Sequence, residues 1–249
     1  MSRLLESSDV RLITFTGPGG VGKTRLALET VAGRESVGSV PVDVVPLASI
    51  RDYQLVIRSI ARAIGIPEQP GLSDVESLAR GIGDGRRLIV LDNLEQVVDA
   101  GPWLAELLVR CPGLTLVCTS RVRLNIQGES LIPVPPLALP PNDRHVSPDS
   151  ARTVPAVALF IQRARQIRPD FDLTDDNCAD VIDLCRKLDG LPLAIELAAA
   201  RLSLLSLGAL RSGLDHRFEL LAGGTRDNPP RLQSLSEAIN WSYELLDPH

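Results

Sequence analysis

Eight residues near the start of the chain have the types and spacing needed to hold a polyphosphate. They read Gly17-Pro18-Gly19-Gly20-Val21-Gly22-Lys23-Thr24 and match the pattern Gly-x4-Gly-Lys-Ser/Thr at every position. Backbone N–H groups must approach the phosphates closely, and the glycines keep side chains out of that space. The apolar run before the loop predicts a buried strand over residues 12–16. The run after it predicts a helix whose positive end faces the phosphates.

This context favours a nucleotide site over a simple glycine-rich turn, with ATP or ADP and Mg²⁺ as the expected ligands. Lys23 is predicted to reach the β- and γ-phosphates, and the Thr24 hydroxyl is predicted to ligate Mg²⁺. The residues of this region predicted to contact the nucleotide are Gly17, Gly19, Gly20, Val21, Gly22, Lys23, Thr24 and Arg25.

An acidic residue ends the next strongly apolar run. Residues 88–91 are continuously apolar and are followed by Asp92, a pattern typical of a central strand of a parallel sheet. The carboxyl ends of such strands open on the ligand crevice, so Asp92 is predicted to hold the water shell of Mg²⁺ opposite Thr24. Glu95 either orients an attacking water or is a solvated acid at the start of a helix, and the sequence leaves both open.

A basic residue follows another predicted strand, over residues 114–119. Arg121 should face the same crevice, where its planar set of donors suits a terminal phosphate. The alternative is an arginine in a solvated turn. The predicted catalytic set is therefore Lys23, Asp92, Glu95 and Arg121.

Strands alternate with helical patterns over the first half of the chain, which predicts an α/β fold with a parallel sheet and helices on both faces. Residues 133–155 contain seven prolines, which predicts a stiff connector without a helix or a sheet ladder. Only helical periodicity follows. The expected domains are a nucleotide-binding α/β domain over residues 1–145 and a smaller all-helical domain over residues 152–225.

Composition narrows the function classes. The 249 residues are 44% hydrophobic and 23% charged, which are globular values. A net charge of −5 argues against binding of nucleic acid by this chain alone. The most apolar stretch, residues 191–210, contains Glu196 and Arg201, so no membrane span is predicted. Gly-x-Ser-x-Gly is absent, which leaves a serine hydrolase without support.

The cysteines are spaced as isolated thiols. None forms a Cys-x-x-Cys pair, which predicts small buried side chains in a reducing compartment and therefore a cytoplasmic protein. They are Cys111, Cys118, Cys178 and Cys185.

Four segments in this order resemble those of the signal-transduction ATPases with numerous domains. They are the phosphate loop, residues 88–95, Thr119-Ser120-Arg121 and Gly190-Leu191-Pro192-Leu193. That family includes the apoptosome activators, the plant NB-ARC resistance proteins and large bacterial transcriptional regulators. Residues 188–201 and 241–246 are most similar to actinobacterial regulators of the LuxR and AfsR type. The resemblance covers nearly the whole chain.

The resemblance implies an ATP/ADP-binding switch of a bacterial regulator, with slow hydrolysis that resets it. It implies that Pro192 packs against adenine and that Arg121 senses the terminal phosphate. Asn93 stands where several hydrolysing relatives have a second acid, which favours slow turnover. The expected partners are nucleotide, further domains of a longer chain and a second copy on activation, without direct contact with nucleic acid or membrane. A winged-helix domain is expected to begin within residues 226–249.

Two other functions stay open. One is a phosphotransferase that uses the same loop, which would need an acceptor pocket and lid arginines that the sequence does not show. The other is a scaffold that binds nucleotide without hydrolysing it, which Asn93 favours. Phosphate release measured with and without a candidate acceptor separates the three functions.

Overall fold

The computed structural model describes residues 10–35, 40–141 and 146–221. Within them the chain forms two compact units. The first contains the chain up to Gly17 and from Gly22 to Val134, and the second contains Pro18–Val21 and the chain from Pro135 onward. The domain limits expected near residues 145 and 152 stay predictions. The expected winged-helix segment, residues 226–249, lies outside the described residues.

The first unit is built on a five-stranded parallel sheet. The strands are β1 (Leu12–Thr16), β2 (Val42–Pro46), β3 (Arg87–Asp92), β4 (Leu114–Ser120) and β5 (Glu129–Pro133). Their order across the sheet is β2-β3-β4-β1-β5, and all the pairings are parallel. The continuous apolar run of β3 is fully buried from Leu88 to Leu91. The predicted parallel α/β sheet is therefore confirmed.

Helices cover both faces of this sheet. They are α1 (Lys23–Glu35), α2 (Val56–Ala63), α3 (Asp74–Ile82) and α4 (Gly101–Arg110). Ile89 and Leu91 belong to the core formed with α2, α3 and α4. Leu88 and Val90 point to the opposite face, because side chains alternate along a strand. On that opposite face α1 packs against β1, β3 and β4.

Local signals in the sequence account for the helix starts. Ser73 and Glu76 form a capping box at the start of α3. Two short 3-10 turns, Leu94–Gln96 and Val98–Ala100, precede α4. Pro102 lies in the first turn of α4, where its missing N–H is tolerated.

The second unit is helical, as predicted. It contains α5 (Pro148–Arg152), α6 (Pro155–Ile167), α7 (Asp175–Lys187), α8 (Pro192–Ala200) and α9 (Leu207–Leu221). Phe160, Leu184 and Ile195 are fully buried in its own core. Phe160 meets Phe171 edge to face, with ring centroids 5.9 Å apart.

The proline-rich stretch is more ordered than predicted. The expectation of a connector without a helix is wrong for Pro148–Arg152, because Pro148 begins α5 and Pro155 begins α6. Proline is favoured at a first helical position, where no N–H partner is needed. Upstream, the Leu137 N–H donates to the Gly190 carbonyl at 2.9 Å, and Leu137 packs against the core of the second unit.

The four cysteines are buried and free, as predicted. Burial raises the pKa of the Cys185 thiol to about 12, so this side chain is a neutral core residue. Across the described residues, every helix is too short or too polar to cross a membrane.

We expect Gly190→Ala to destabilise the second unit. Gly190 has φ +65°, and a Cβ there would lie 2.4 Å from the Leu137 carbonyl oxygen. The left-handed backbone alone costs a residue with a Cβ about 1–2 kcal/mol, and the clash should displace residue 137 as well. Urea unfolding followed by circular dichroism measures the loss.

Gly213→Ala is the matched control, since Gly213 lies within α9 and a Cβ there would meet nothing within 4 Å. It should stabilise the protein by about 0.5–1 kcal/mol, as alanine does in a helix. Equal stability of the two variants would contradict the described docking of residue 137 on Gly190.

Candidate functional site

The phosphate-loop residues join β1 to α1 and adopt backbone conformations that glycine supplies. Gly20 and Gly22 have φ +73° and +96°. A Cβ at Gly22 would meet nothing within 4 Å, so the backbone conformation rather than crowding requires glycine there. Val21, between them, is buried. The loop is thus held by a hydrophobic side chain while its backbone stays accessible at the glycines.

Lys23 is the first residue of α1 and is only 7% exposed. Its Nζ donates to the Gly17 carbonyl at 2.9 Å, across the loop. Burial lowers the pKa of Lys23 below its usual value, and the nearby Arg121 charge lowers it further, whereas Glu95 and Asp92 act in the opposite direction. The pKa of Lys23 thus depends on the other three predicted catalytic side chains.

A carboxylate at the end of β3 joins the site to α1. The Thr24 hydroxyl donates to Asp92 Oδ1 at 2.6 Å. Sequence reasoning predicted that these two residues lie opposite each other, and the geometry places them in direct contact. The donor set is a hydroxyl and a carboxylate, which are hard oxygen ligands.

This donor set fits Mg²⁺. In nucleotide sites Mg²⁺ keeps several waters and is held by one or two carboxylates together with phosphates of the ligand. Thr24 uses its proton on Asp92, so the lone pairs of its oxygen stay available for a cation.

Glu95 and Arg121 form an ion pair. Arg121 Nε lies 3.2 Å from Glu95 Oε1, with side chains that are 51% and 14% exposed, respectively. Glu95 Oε2 is buried and accepts no hydrogen bond from any residue that the structure describes. Glu95 is therefore mostly buried rather than a solvated acid, and Arg121 follows β4 as predicted.

Asn93 sets the direction of Glu95. Asn93 has φ 68° and ψ 56°, a left-handed conformation that asparagine tolerates better than most residues. The turn Leu94–Gln96 follows at once, with Leu94 buried in the core. The chain thus leaves β3 sharply and brings Glu95 back towards Arg121.

Two residues predicted to contact the nucleotide lie outside the cluster formed by Lys23, Asp92, Glu95 and Arg121. Arg25 is exposed on the first turn of α1. Pro192 is the first residue of α8 in the second unit. The next N–H, that of Leu193, donates to the carbonyl of Gly20, which belongs to the same compact unit, at 3.1 Å. The roles of Arg25 and Pro192 towards a nucleotide stay predictions.

Thr119 is a residue of the site that sequence reasoning missed. Its Oγ1 donates to Asp92 Oδ1 at 2.5 Å and accepts the Asn93 N–H at 3.0 Å. A signal was present, since Thr119 belongs to the Thr119-Ser120-Arg121 segment that carries the family resemblance. Its contact depends on β3 and β4 being neighbours, which the sequence does not state.

Sequence comparison relates the chain to mycobacterial proteins. No family model matches it. It is 43% identical over 237 residues to a Mycobacterium tuberculosis protein named "Putative HTH-type transcriptional regulator", a match covering 95% of this chain and 25% of that protein. It is 41% identical over 243 residues to an "Uncharacterized protein" of the same species, covering 96% and 58%. The chain thus spans about a quarter and somewhat more than half of these relatives.

Solved structures of several proteins share this fold. A Walker-type ATPase of Pyrococcus abyssi aligns with a TM-score of 0.53 at 15% identity, covering 96% of this chain and 87% of that one. Cdc6p from Pyrobaculum aerophilum aligns with a TM-score of 0.55 at 16% identity, covering 85% and 61%. Identities this low show the fold alone, which is that of P-loop ATPases.

We expect the left-handed turn at Asn93 to tolerate glycine and to resist valine. Asn93→Gly should change the free energy of unfolding little, whereas Asn93→Val should lower it by about 1–2 kcal/mol. Urea unfolding of both variants measures the difference.

Asn125 gives a matched control, because it is exposed and has φ 55° in a loop after β4. Asn125→Val should lose similar stability without disturbing the residues around Asp92. If Asn93→Val were as stable as the unchanged protein, the turn after β3 would not be held as described.

Proposed function

We propose that this chain is the Mg²⁺-dependent ATP/ADP-binding switch module of a bacterial transcriptional or signalling regulator. The observation that carries the proposal is the 2.6 Å hydrogen bond from the Thr24 hydroxyl to Asp92 Oδ1. It joins a complete phosphate loop to an acidic residue at the carboxyl end of a central parallel strand, the edge where such sheets hold their ligands.

The chain's own residues divide the binding between them. Lys23 and the N–H groups at the start of α1 bind the phosphates. Thr24 and Asp92 would hold Mg²⁺, which would supply positive charge to the bound phosphates.

The switch rests on Arg121. The phosphate loop contacts mainly the inner phosphates, which ADP and ATP share. A guanidinium placed beyond the inner phosphates can distinguish the two ligands. Arg121 lies at the end of β4, where its Nε is paired with Glu95. Hydrolysis is slow in this proposal, because Asn93 supplies an amide rather than a second carboxylate and Glu95 is engaged by Arg121.

The regulator assignment rests on similarity. The M. tuberculosis relative carries the name of an HTH-type transcriptional regulator and is about four times as long as the matched region. The resemblance to multidomain signal-transduction ATPases has the same implication. Further domains of a longer chain and a second copy on activation are the partners that the proposal includes.

Lys23→Ala should weaken nucleotide binding about 10–100-fold, since a hydrogen bond to a charged group contributes about 1.5–3 kcal/mol. Calorimetric titration with ADP in Mg²⁺ measures this change. Lys187→Ala removes the other lysine of the chain, which pairs with Asp183 on α7, and should leave the affinity unchanged. Unchanged binding in a folded Lys23→Ala variant would reject the site.

Arg121→Ala should weaken binding of a non-hydrolysable ATP analogue about 10–100-fold and that of ADP almost not at all. Two titrations on one variant give the comparison. Arg123→Ala is the control, because Arg123 is an exposed arginine two residues further along. A loss of equal size for both ligands would remove Arg121 from the switch.

A further inference from the structure

Two hydroxyl groups, one from a strand and one from a helix, donate hydrogen bonds to the same carboxylate oxygen. Thr119 is fully buried in β4, and its Oγ1 donates to Asp92 Oδ1 at 2.5 Å. Thr24 Oγ1, in the first turn of α1, donates to the same oxygen at 2.6 Å. Asp92 is therefore held from two sides through Oδ1.

The hydrogen-bond inventory fixes the direction of these contacts. A hydroxyl has one proton and two lone pairs, and an ionised carboxylate only accepts. Thr119 Oγ1 already accepts the Asn93 N–H at 3.0 Å, so its proton is directed to Asp92. Its side chain is also stiff, because threonine is β-branched. Thr119 thus connects the backbone just after β3 to the carboxylate at the end of β3.

We propose that Thr119 is a positioning residue that fixes the Asp92 carboxylate for Mg²⁺. The inference rests on the proposed function and deepens it. With Oδ1 held by two donors, Oδ2 is the oxygen presented to the water shell of the cation. Without Thr119 the carboxylate gains freedom to rotate, and the Asn93 N–H loses its acceptor.

The expected magnitude follows from other metal sites. Residues that orient a metal-binding carboxylate typically change metal affinity about 10–100-fold when they are mutated. Thr119 does not touch the nucleotide in this proposal, so its effect must pass through the metal. The effect of removing the Thr119 hydroxyl on nucleotide affinity should therefore appear in the presence of Mg²⁺ and vanish in EDTA.

The experiment compares Thr119→Val, which keeps the shape without the hydroxyl, with Thr119→Ser, which keeps the hydroxyl. ADP is titrated calorimetrically into each variant in Mg²⁺ and in EDTA. Thr119→Val should lower ADP affinity about 10-fold or more in Mg²⁺ and change it little in EDTA. Thr119→Ser should keep most of the gain in ADP affinity that Mg²⁺ gives the unchanged protein.

Thr14→Val is the matched control. Thr14 is also fully buried in the same sheet, on β1, but its hydroxyl finds no partner among the described residues. Removing that hydroxyl should leave ADP affinity unchanged in both conditions. The midpoint of thermal unfolding without nucleotide, measured for all variants, separates a general loss of stability from a loss of Mg²⁺ coupling.

Equal losses in Mg²⁺ and EDTA for Thr119→Val would overturn the proposal and give Thr119 a structural role only. So would a Thr119→Ser variant that behaves like Thr119→Val. Should Thr119→Val not fold, Thr119→Cys offers a weaker donor, and an unchanged Mg²⁺ effect there would also overturn the proposal. Absence of ADP binding in the unchanged protein would instead reject the proposed function itself.

Discussion

The arrangement of the site depends on one carboxylate oxygen, Asp92 Oδ1, which accepts hydrogen bonds from hydroxyls on two other elements. That convergence requires the strand order of the sheet. Because β4 lies between β3 and β1, the ends of all three strands meet at one edge. The phosphate loop leaves β1 there, and the turn at Asn93 leaves β3 there. A different order would separate Thr24 and Thr119 from Asp92 without changing any local pattern.

Local patterns made much of this predictable. Short, mostly apolar runs indicated β1, β3 and β4, and the glycine spacing indicated the loop and the start of α1. Thr119 could not be assigned in the same way, since its partner is 27 residues away and reaches it only through strand pairing. The prediction for the proline-rich stretch was wrong for a related reason. Proline is unfavourable in the interior of a helix but favourable at its first position. Only the structure shows which of these positions Pro148 takes.

Glu95 and Arg121 were predicted for separate reasons and occur as a pair. The pair has unequal partners, because Glu95 is 14% exposed and Arg121 is 51% exposed. Solvent screens the half-exposed Arg121, but the departure of Arg121 would leave the mostly buried Glu95 carboxylate without its partner, which is costly. The guanidinium has further N–H donors besides Nε, so Arg121 could contact a terminal phosphate while Nε stays on Glu95 Oε1. In that arrangement one guanidinium would link the terminal phosphate to the Glu95 carboxylate, so sensing and any action of Glu95 on water would be coupled.

The charges of the site show why an amide at Asn93 matters. Lys23 and Arg121 carry two positive charges, Asp92 and Glu95 carry two negative ones, and all three neighbours affect the pKa of Lys23. A second carboxylate at position 93 would tolerate the left-handed backbone, as aspartate does, but would add a like charge beside Asp92. With asparagine at position 93, the charges of the four ionised side chains cancel. If phosphates bind here, they enter a site without surplus positive charge, and a cation at Thr24 and Asp92 would have to supply it.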